Sequence, residues 1–130
     1  MSKTNFERVK EFHRVFGTID PTTPTIPNFN KIVLREKLID EEFTEVKNAI
    51  DNETIYEVAK EIADLLYVTY GAAADWGIDI DAVFEEVHRS NMTKLDINGQ
   101  PVKRADGKVI KSNLYEPADM VKVLGTNLII

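Results

Sequence analysis

Four carboxylates in this 130-residue sequence are set apart by their spacing. Glu42 and Glu45 are three residues apart, as are Glu61 and Asp64, and Glu41 adjoins the first pair. On a helix, side chains three apart project from nearly the same face, so each pair concentrates negative charge. Such like-charge pairs cost about 0.2–0.5 kcal/mol each on an exposed helix, and more when partly buried. A hard divalent cation relieves the repulsion. Magnesium suits this donor set because it prefers oxygen ligands and keeps several waters, leaving positions for phosphate oxygens and a nucleophilic water. Arg35, Lys37, Lys47 and Lys60 offer a plainer reading, in which the acids pair with basic neighbours on a solvated face. Two acidic pairs on consecutive helices, each beside an apolar stripe, favour the metal.

The elements that must present these pairs follow from apolar periodicity. Phe6, Val9, Phe12 and Phe16 predict a first helix over residues 4–16, ending at Gly17. Pro21, Pro24 and Pro27 then predict an extended connector. A second helix is expected over residues 30–50, with Ile32, Ile39, Phe43, Val46 and Ile50 as one apolar stripe. Asp51-Asn52 breaks that pattern and can cap a third helix over residues 53–75. Its buried side should carry Ile55, Val58, Ile62, Leu65, Leu66 and Thr69, with Tyr67, Val68, Tyr70 and the small residues 71–74 widening the apolar surface. A helix that apolar needs cover on more than one side. The connection between the second and third helices is short, which predicts antiparallel neighbours with the acidic pairs face to face.

Gly77 ends the third helix, and Asp79 can cap a fourth carrying Ile80, Val83, Phe84 and Val87. After Ser90 the helical pattern fails. Asn98-Gly99 and Asp106-Gly107 predict turns, and Val102 with Val109-Ile110 predicts a hairpin around the second. A last helix is expected near Pro117, and the tail Leu128-Ile129-Ile130 suits packing on a partner subunit.

The totals bound the reading. At 43% hydrophobic and 29% charged residues, the chain has the composition of one globular domain over residues 1–130. No apolar run approaches the ~20 residues a membrane helix needs. Met1-Ser2-Lys3-Thr4-Asn5 lacks the apolar stretch of a signal peptide. The absence of cysteine excludes disulfides and thiolate chemistry and, with no apolar run of membrane length, sets the expectation of a cytoplasmic protein that does not bind membranes. A net charge of −6 argues against binding a nucleic-acid polymer. The distribution is uneven: Arg89, Lys94, Lys103, Arg104, Lys108 and Lys111 face only Asp96 and Asp106 across residues 88–111, a local +4 against −10 elsewhere. An acidic body is followed by a basic segment.

The runs Leu38-Ile39-Asp40-Glu41-Glu42-Phe43-Thr44-Glu45 and Glu61-Ile62-Ala63-Asp64-Leu65-Leu66-Tyr67-Val68 resemble the all-α nucleotide pyrophosphohydrolases. These include MazG-like proteins, dimeric dUTPases and phosphoribosyl-ATP pyrophosphohydrolases. Their signature is Glu-Glu-x-x-Glu, a spacer (here the 15 residues 46–60), then Glu-x-x-Asp. Val9-Lys10-Glu11-Phe12-His13, Ser90-Asn91-Met92-Thr93-Lys94, Asp106-Gly107-Lys108-Val109-Ile110-Lys111 and Tyr115-Glu116-Pro117 extend the likeness over about residues 6–120. The resemblance implies an all-α, MazG-like bundle of four to five helices with a small C-terminal hairpin or loop segment. It implies cleavage of a (deoxy)nucleoside triphosphate between the α and β phosphates, giving the monophosphate and pyrophosphate. Glu42, Glu45, Glu61 and Asp64 would bind Mg2+, with Mn2+ also supporting activity. Glu41, about 100° around the helix from Glu42, would orient or deprotonate the attacking water. Asn91, Lys94, Lys108, Lys111 and Tyr115 would contact the substrate. The site is expected at a subunit interface of a homodimer or a dimer of dimers.

No residue names the base: dUTP, dGTP, dCTP, a modified nucleotide and phosphoribosyl-ATP all fit. Trp76, Phe12, His13, Phe16 and Tyr115 are the stacking candidates. Two rivals remain. Glu85-Glu86-Val87-His88 contains the Glu-x-x-His of ferritin-like di-iron proteins, but that fold wants two such motifs. A non-catalytic nucleotide-binding or regulatory module would have no need of Glu41 beside intact metal ligands.

Overall fold

A computed structural model describes residues 2–52 and 54–125. One compact unit runs to Ile80 and a second begins at Asp81. The first holds three helices: α1 (Asn5–Val15), α2 (Phe29–Asn52) and α3 (Ile55–Asp75). The second holds α4 (Ile80–Met92) from its second residue, strands β1 (Val102–Lys103) and β2 (Val109–Ile110), and α5 (Met120–Leu124). The chain is all-α with a small C-terminal hairpin, as its sequence predicts. No helix among the described residues is long and apolar enough to cross a membrane.

In the first unit, α3 is the central element and both α1 and α2 pack on it. Helix α1 starts from a capping box: the Thr4 hydroxyl accepts from the Glu7 amide at 3.1 Å, and the Glu7 carboxylate accepts from the Thr4 amide at 3.3 Å. It buries Phe6, Val9 and His13. Phe6, Ala73 and Ala74 form the core, with Tyr70, Ile78 and Ile80 packed against them. Asn28 starts α2 by accepting from the Lys31 amide at 2.9 Å. The extended connector returns along the end of α3, where the Thr25 amide donates to the Trp76 carbonyl at 2.8 Å. Gly77 permits this approach, because it has φ +64° and a Cβ there would lie 2.1 Å from the Thr23 carbonyl oxygen.

Three expectations need correction. Asp51 and Asn52 lie inside α2, and Thr54 is the residue before α3. The Asn52 side chain donates to the Asn48 carbonyl at 3.4 Å, which extends the last turn instead of ending it. The α2 stripe is only partly covered: Ile32, Ile39 and Val46 are half-buried, and its other two members are not. Phe43 is 50% exposed and Ile50 61% exposed, whereas Arg35, Glu42 and Ala49, spaced by sevens, are half-buried or buried. Two turns of helix separate each of these three, so they form one line along the seam. On α3, likewise, Val58 and Leu65 are half-buried but Ile55, Ile62, Leu66 and Thr69 are exposed, and the buried residues are Gly71, Ala73, Ala74 and Asp75.

Of the apolar face expected on α4, Ile80 and Val83 are half-buried, and polar bonds add to it in the second unit. Phe84 is exposed, and the buried residues of α4 are Glu86 and Ser90. Glu86 accepts from Arg89 at 2.6 Å and from the Asp119 amide at 3.0 Å, and Ser90 donates to the Glu116 carbonyl at 2.7 Å. These bonds bring residues 116–119 against α4. With donors from Arg89 and a backbone amide, the Glu86 carboxyl is held down at about 2. The hairpin pairs Val102 with Ile110 and Lys103 with Val109. The last helix starts at Met120, later than Pro117 suggests, because the Asp119 side chain caps it by accepting from the Lys122 amide at 3.0 Å. The apolar tail Leu128-Ile129-Ile130 lies outside the described residues.

Candidate active site

The antiparallel α2–α3 seam carries charge at two levels. At one level Glu42, Glu61 and Asp64 each offer a carboxylate oxygen within 4.8 Å of the others. The Glu42 carboxyl is pushed above its ordinary value, first by partial burial, then by the charges of Asp64 and Glu61. The donor set is three carboxylates and no nitrogen or sulfur. Oxygens around an octahedral Mg2+ at 2.0–2.1 Å lie about 3–4 Å apart, so a small contraction of this cluster fits the ion. Lys60 donates to Asp64 at 2.8 Å and to Glu61 at 3.3 Å. The plainer pairing reading therefore holds for this one lysine. Arg35 is committed to Asp75, and Lys47 lies over the Phe43 ring, 4.6 Å from its centroid.

Of the four carboxylates expected to meet, three do. Glu45 is exposed and lies outside the group, although its charge adds to the upward push on Glu42. Glu41 is exposed as well. In the second unit, Asn91 is exposed on α4 and Lys94 is half-buried just after it. Lys108 is exposed in the hairpin turn. Lys111 sits over the Tyr115 ring at 4.7 Å from its centroid, so these two candidates adjoin each other. Glu85 and His88 are exposed, and His88 joins no potential metal group among the described residues.

The phosphoribosyl-ATP pyrophosphohydrolase family profile matches residues 9–91, more than half of the chain. The chain belongs to that family. The family is part of the MazG-like all-α nucleotide pyrophosphohydrolase superfamily, and Mg2+ dependence is typical of it. The matched region contains Glu41, both acidic pairs and Asn91, and stops short of Lys94, Lys108, Lys111 and Tyr115. The chain is also similar to "Uncharacterized protein L479" of Acanthamoeba polyphaga mimivirus, at 30% identity over 125 residues. That alignment takes in 93% of this chain and 47% of the relative, so the chain spans about half the relative's length.

Sequence reasoning missed the second level of the seam in this pyrophosphohydrolase-family chain. Arg35 Nε donates to Asp75 at 2.6 Å. Its Nη2 donates to His13 Nε2 at 3.0 Å, and His13 Nδ1 donates to Asp20 at 2.8 Å. This chain of bonds ties α2, α3, α1 and the connector together, with Asp75 only 3% exposed. Gly71 makes room for it, since a Cβ there would lie 2.5 Å from Arg35 Nη1. The available signal was the spacing: Arg35 is seven residues before Glu42, hence on the same line of α2. His13, a stacking candidate, is occupied by this network. Phe12 and Phe16 stack on each other with centroids 4.3 Å apart, and Tyr67 meets Phe12 edge-on. A shallow cavity of about 170 Å³ beside them, between α1 and α3, is lined by Arg8, Ala63, Leu66, Tyr67 and Tyr70.

Proposed function

We propose that this protein hydrolyses a nucleoside triphosphate between its α and β phosphates, releasing the monophosphate and pyrophosphate. The observation that carries the reading is the convergence of Glu42, Glu61 and Asp64 from two helices, with Glu42 pushed upward by partial burial and the other two charges. Uncompensated, that arrangement costs stability, and a divalent cation reverses the sign of the interaction.

Glu42, Glu61 and Asp64 would hold Mg2+ or Mn2+, which supplies charge neutralisation at the phosphate oxygens and activates the attacking water. Glu45, one turn from Glu42, would join them as a further oxygen donor. Glu41 projects about 100° away from Glu42, which separates it from the ligands and suits it to orient water and take its proton. Asn91, Lys94, Lys108, Lys111 and Tyr115 would contact phosphate and sugar, lysine acting as a mobile point charge. Their positive segment offsets the acidic body and attracts a polyanion.

The apolar residues left exposed support assembly into a homodimer or a dimer of dimers. Phe43 and Ile50 make one seven-residue stripe on α2, and Ile55 and Ile62 make another on α3. Exposed apolar patches rimmed by polar residues mark protein–protein contacts.

The test is a panel of canonical and modified nucleoside triphosphates with Mg2+ or Mn2+, read separately for pyrophosphate and orthophosphate. The expected result is pyrophosphate from at least one member, abolished by chelator. Orthophosphate alone would overturn αβ cleavage.

A further inference from the structure

One cation already stands at two of the three carboxylates. Lys60 immediately precedes the second acidic pair, and its Nζ bonds both Asp64 Oδ2, at 2.8 Å, and Glu61 Oε1, at 3.3 Å. Its charge also reaches Glu42, where it opposes the upward push of the other two acids. The side chain is 64% exposed, so the contacts are held by charge and not by packing. A long, flexible stem carrying a compact, strongly hydrated ammonium can leave such a place at little cost.

A divalent ion on the same oxygens would stand within a few ångströms of that ammonium, and the two cations repel. Lys60 must therefore give up the carboxylates when the ion arrives. A triphosphate bound through the ion brings several negative oxygens to the edge of the vacated position. Arg35 and Lys47 are engaged elsewhere, with Asp75 and with the Phe43 ring. We propose that Lys60 is a stand-in cation: it neutralises the empty site, yields it to Mg2+, and then binds the phosphate chain. The inference rests on the metal-site reading given above.

The role has a two-sided signature. Without Lys60 the ion meets no competitor, so it binds more tightly, while the phosphate chain loses a charged contact and binds more weakly. A lysine that only decorates the surface shifts neither, and one that only supports the fold weakens both. The experiment uses two base-independent probes on the full chain. Mn2+ alone is titrated by electron paramagnetic resonance, and inorganic tripolyphosphate is titrated by calorimetry at saturating Mg2+.

Lys60→Met is expected to bind Mn2+ about two- to tenfold more tightly, the worth of two exposed ion pairs. It is expected to bind tripolyphosphate about tenfold more weakly, the worth of one charge-assisted hydrogen bond. Lys60→Arg should restore the polyphosphate constant. Glu42→Gln separates the two layers of the argument. If it binds Mn2+ as the wild type does, the metal reading falls and the lysine role falls with it. If Glu42→Gln loses Mn2+ while Lys60→Met matches the wild type with both probes, or weakens both, the lysine role alone is overturned.

Discussion

Glu42→Gln should make the metal-free protein more stable and, at the same time, deaf to Mg2+. The substitution keeps the shape of the side chain and removes one charge from the cluster. Asp64, Glu61 and Glu45 all push on Glu42, and the opposite charge of Lys60 offsets the weakest of them, Glu45, leaving two. Each such contact is worth about 0.2–0.5 kcal/mol, which gives about 0.5–1 kcal/mol for the two. In a chain of this size that raises the melting temperature by about 2–4 °C. The pH dependence has a fixed sign. A carboxyl whose value is raised by folding leaves the fold unpenalised while protonated and penalises it once ionised. The advantage of the variant should therefore be present at pH 7.5 and vanish below about pH 4, where Glu42 is neutral in both states. Wild type in Mg2+ at ten times its dissociation constant gains about 1.4 kcal/mol, and the variant gains little. Melting followed by circular dichroism checks this, at fixed protein concentration, in chelator or in Mg2+ with ionic strength matched by KCl. A variant that is less stable in chelator, or that responds to Mg2+ as the wild type does, would refute the reasoning.

The Arg35 network reverses a common rule. Gly→Ala inside a helix ordinarily stabilises by about 1 kcal/mol, but Gly71→Ala should destabilise by about 1–2 kcal/mol because its methyl displaces a guanidinium fixed by His13 and Asp75. Asp75→Ala should cost about 3 kcal/mol by stranding Arg35, and urea denaturation measures both. Glu86, held down at about 2, contributes stability that is present above the ordinary carboxylate range and lost as pH falls towards that value. Glu86→Gln should accordingly flatten the acid limb of the stability profile, and an unchanged limb would remove the assigned role. Ile62→Glu, on the exposed apolar stripe of α3, should shift the protein to a smaller species in light scattering coupled to size exclusion.

The helices were legible because apolar periodicity reports them, and the acidic pairs because like charges at a spacing of three are costly. The hairpin was legible from Asp106-Gly107. The antiparallel pairing and its facing acids were legible from the short connection; the full lining of the seam was not, because the sequence reading assigned the rest of the helix contact to apolar residues alone. In the structure α2 turns Arg35, Glu42 and Ala49 to α3, and leaves Phe43 and Ile50 outside. Hydrophobic pattern marks every face that needs cover, and does not say which face a helix of the same chain provides. The Asp51-Asn52 break misled for a related reason, since capping residues also continue a helix when their side chains bond backward to the preceding turn. Glu45 was grouped with Glu42 by spacing alone. About 60° separates positions three apart, enough to put one carboxylate in the seam and the other in solvent.

The central claim is that the carboxylates gathered by α2 and α3 hold the ion used in phosphate cleavage. Anomalous diffraction at the manganese edge, from crystals grown with Mn2+, tests it most directly. The account predicts a peak within coordination distance of Glu42, Glu61 and Asp64. No peak there, or a peak instead at His13, Asp20 and Asp75, the other group whose ligand atoms lie close enough to hold a metal, would contradict it.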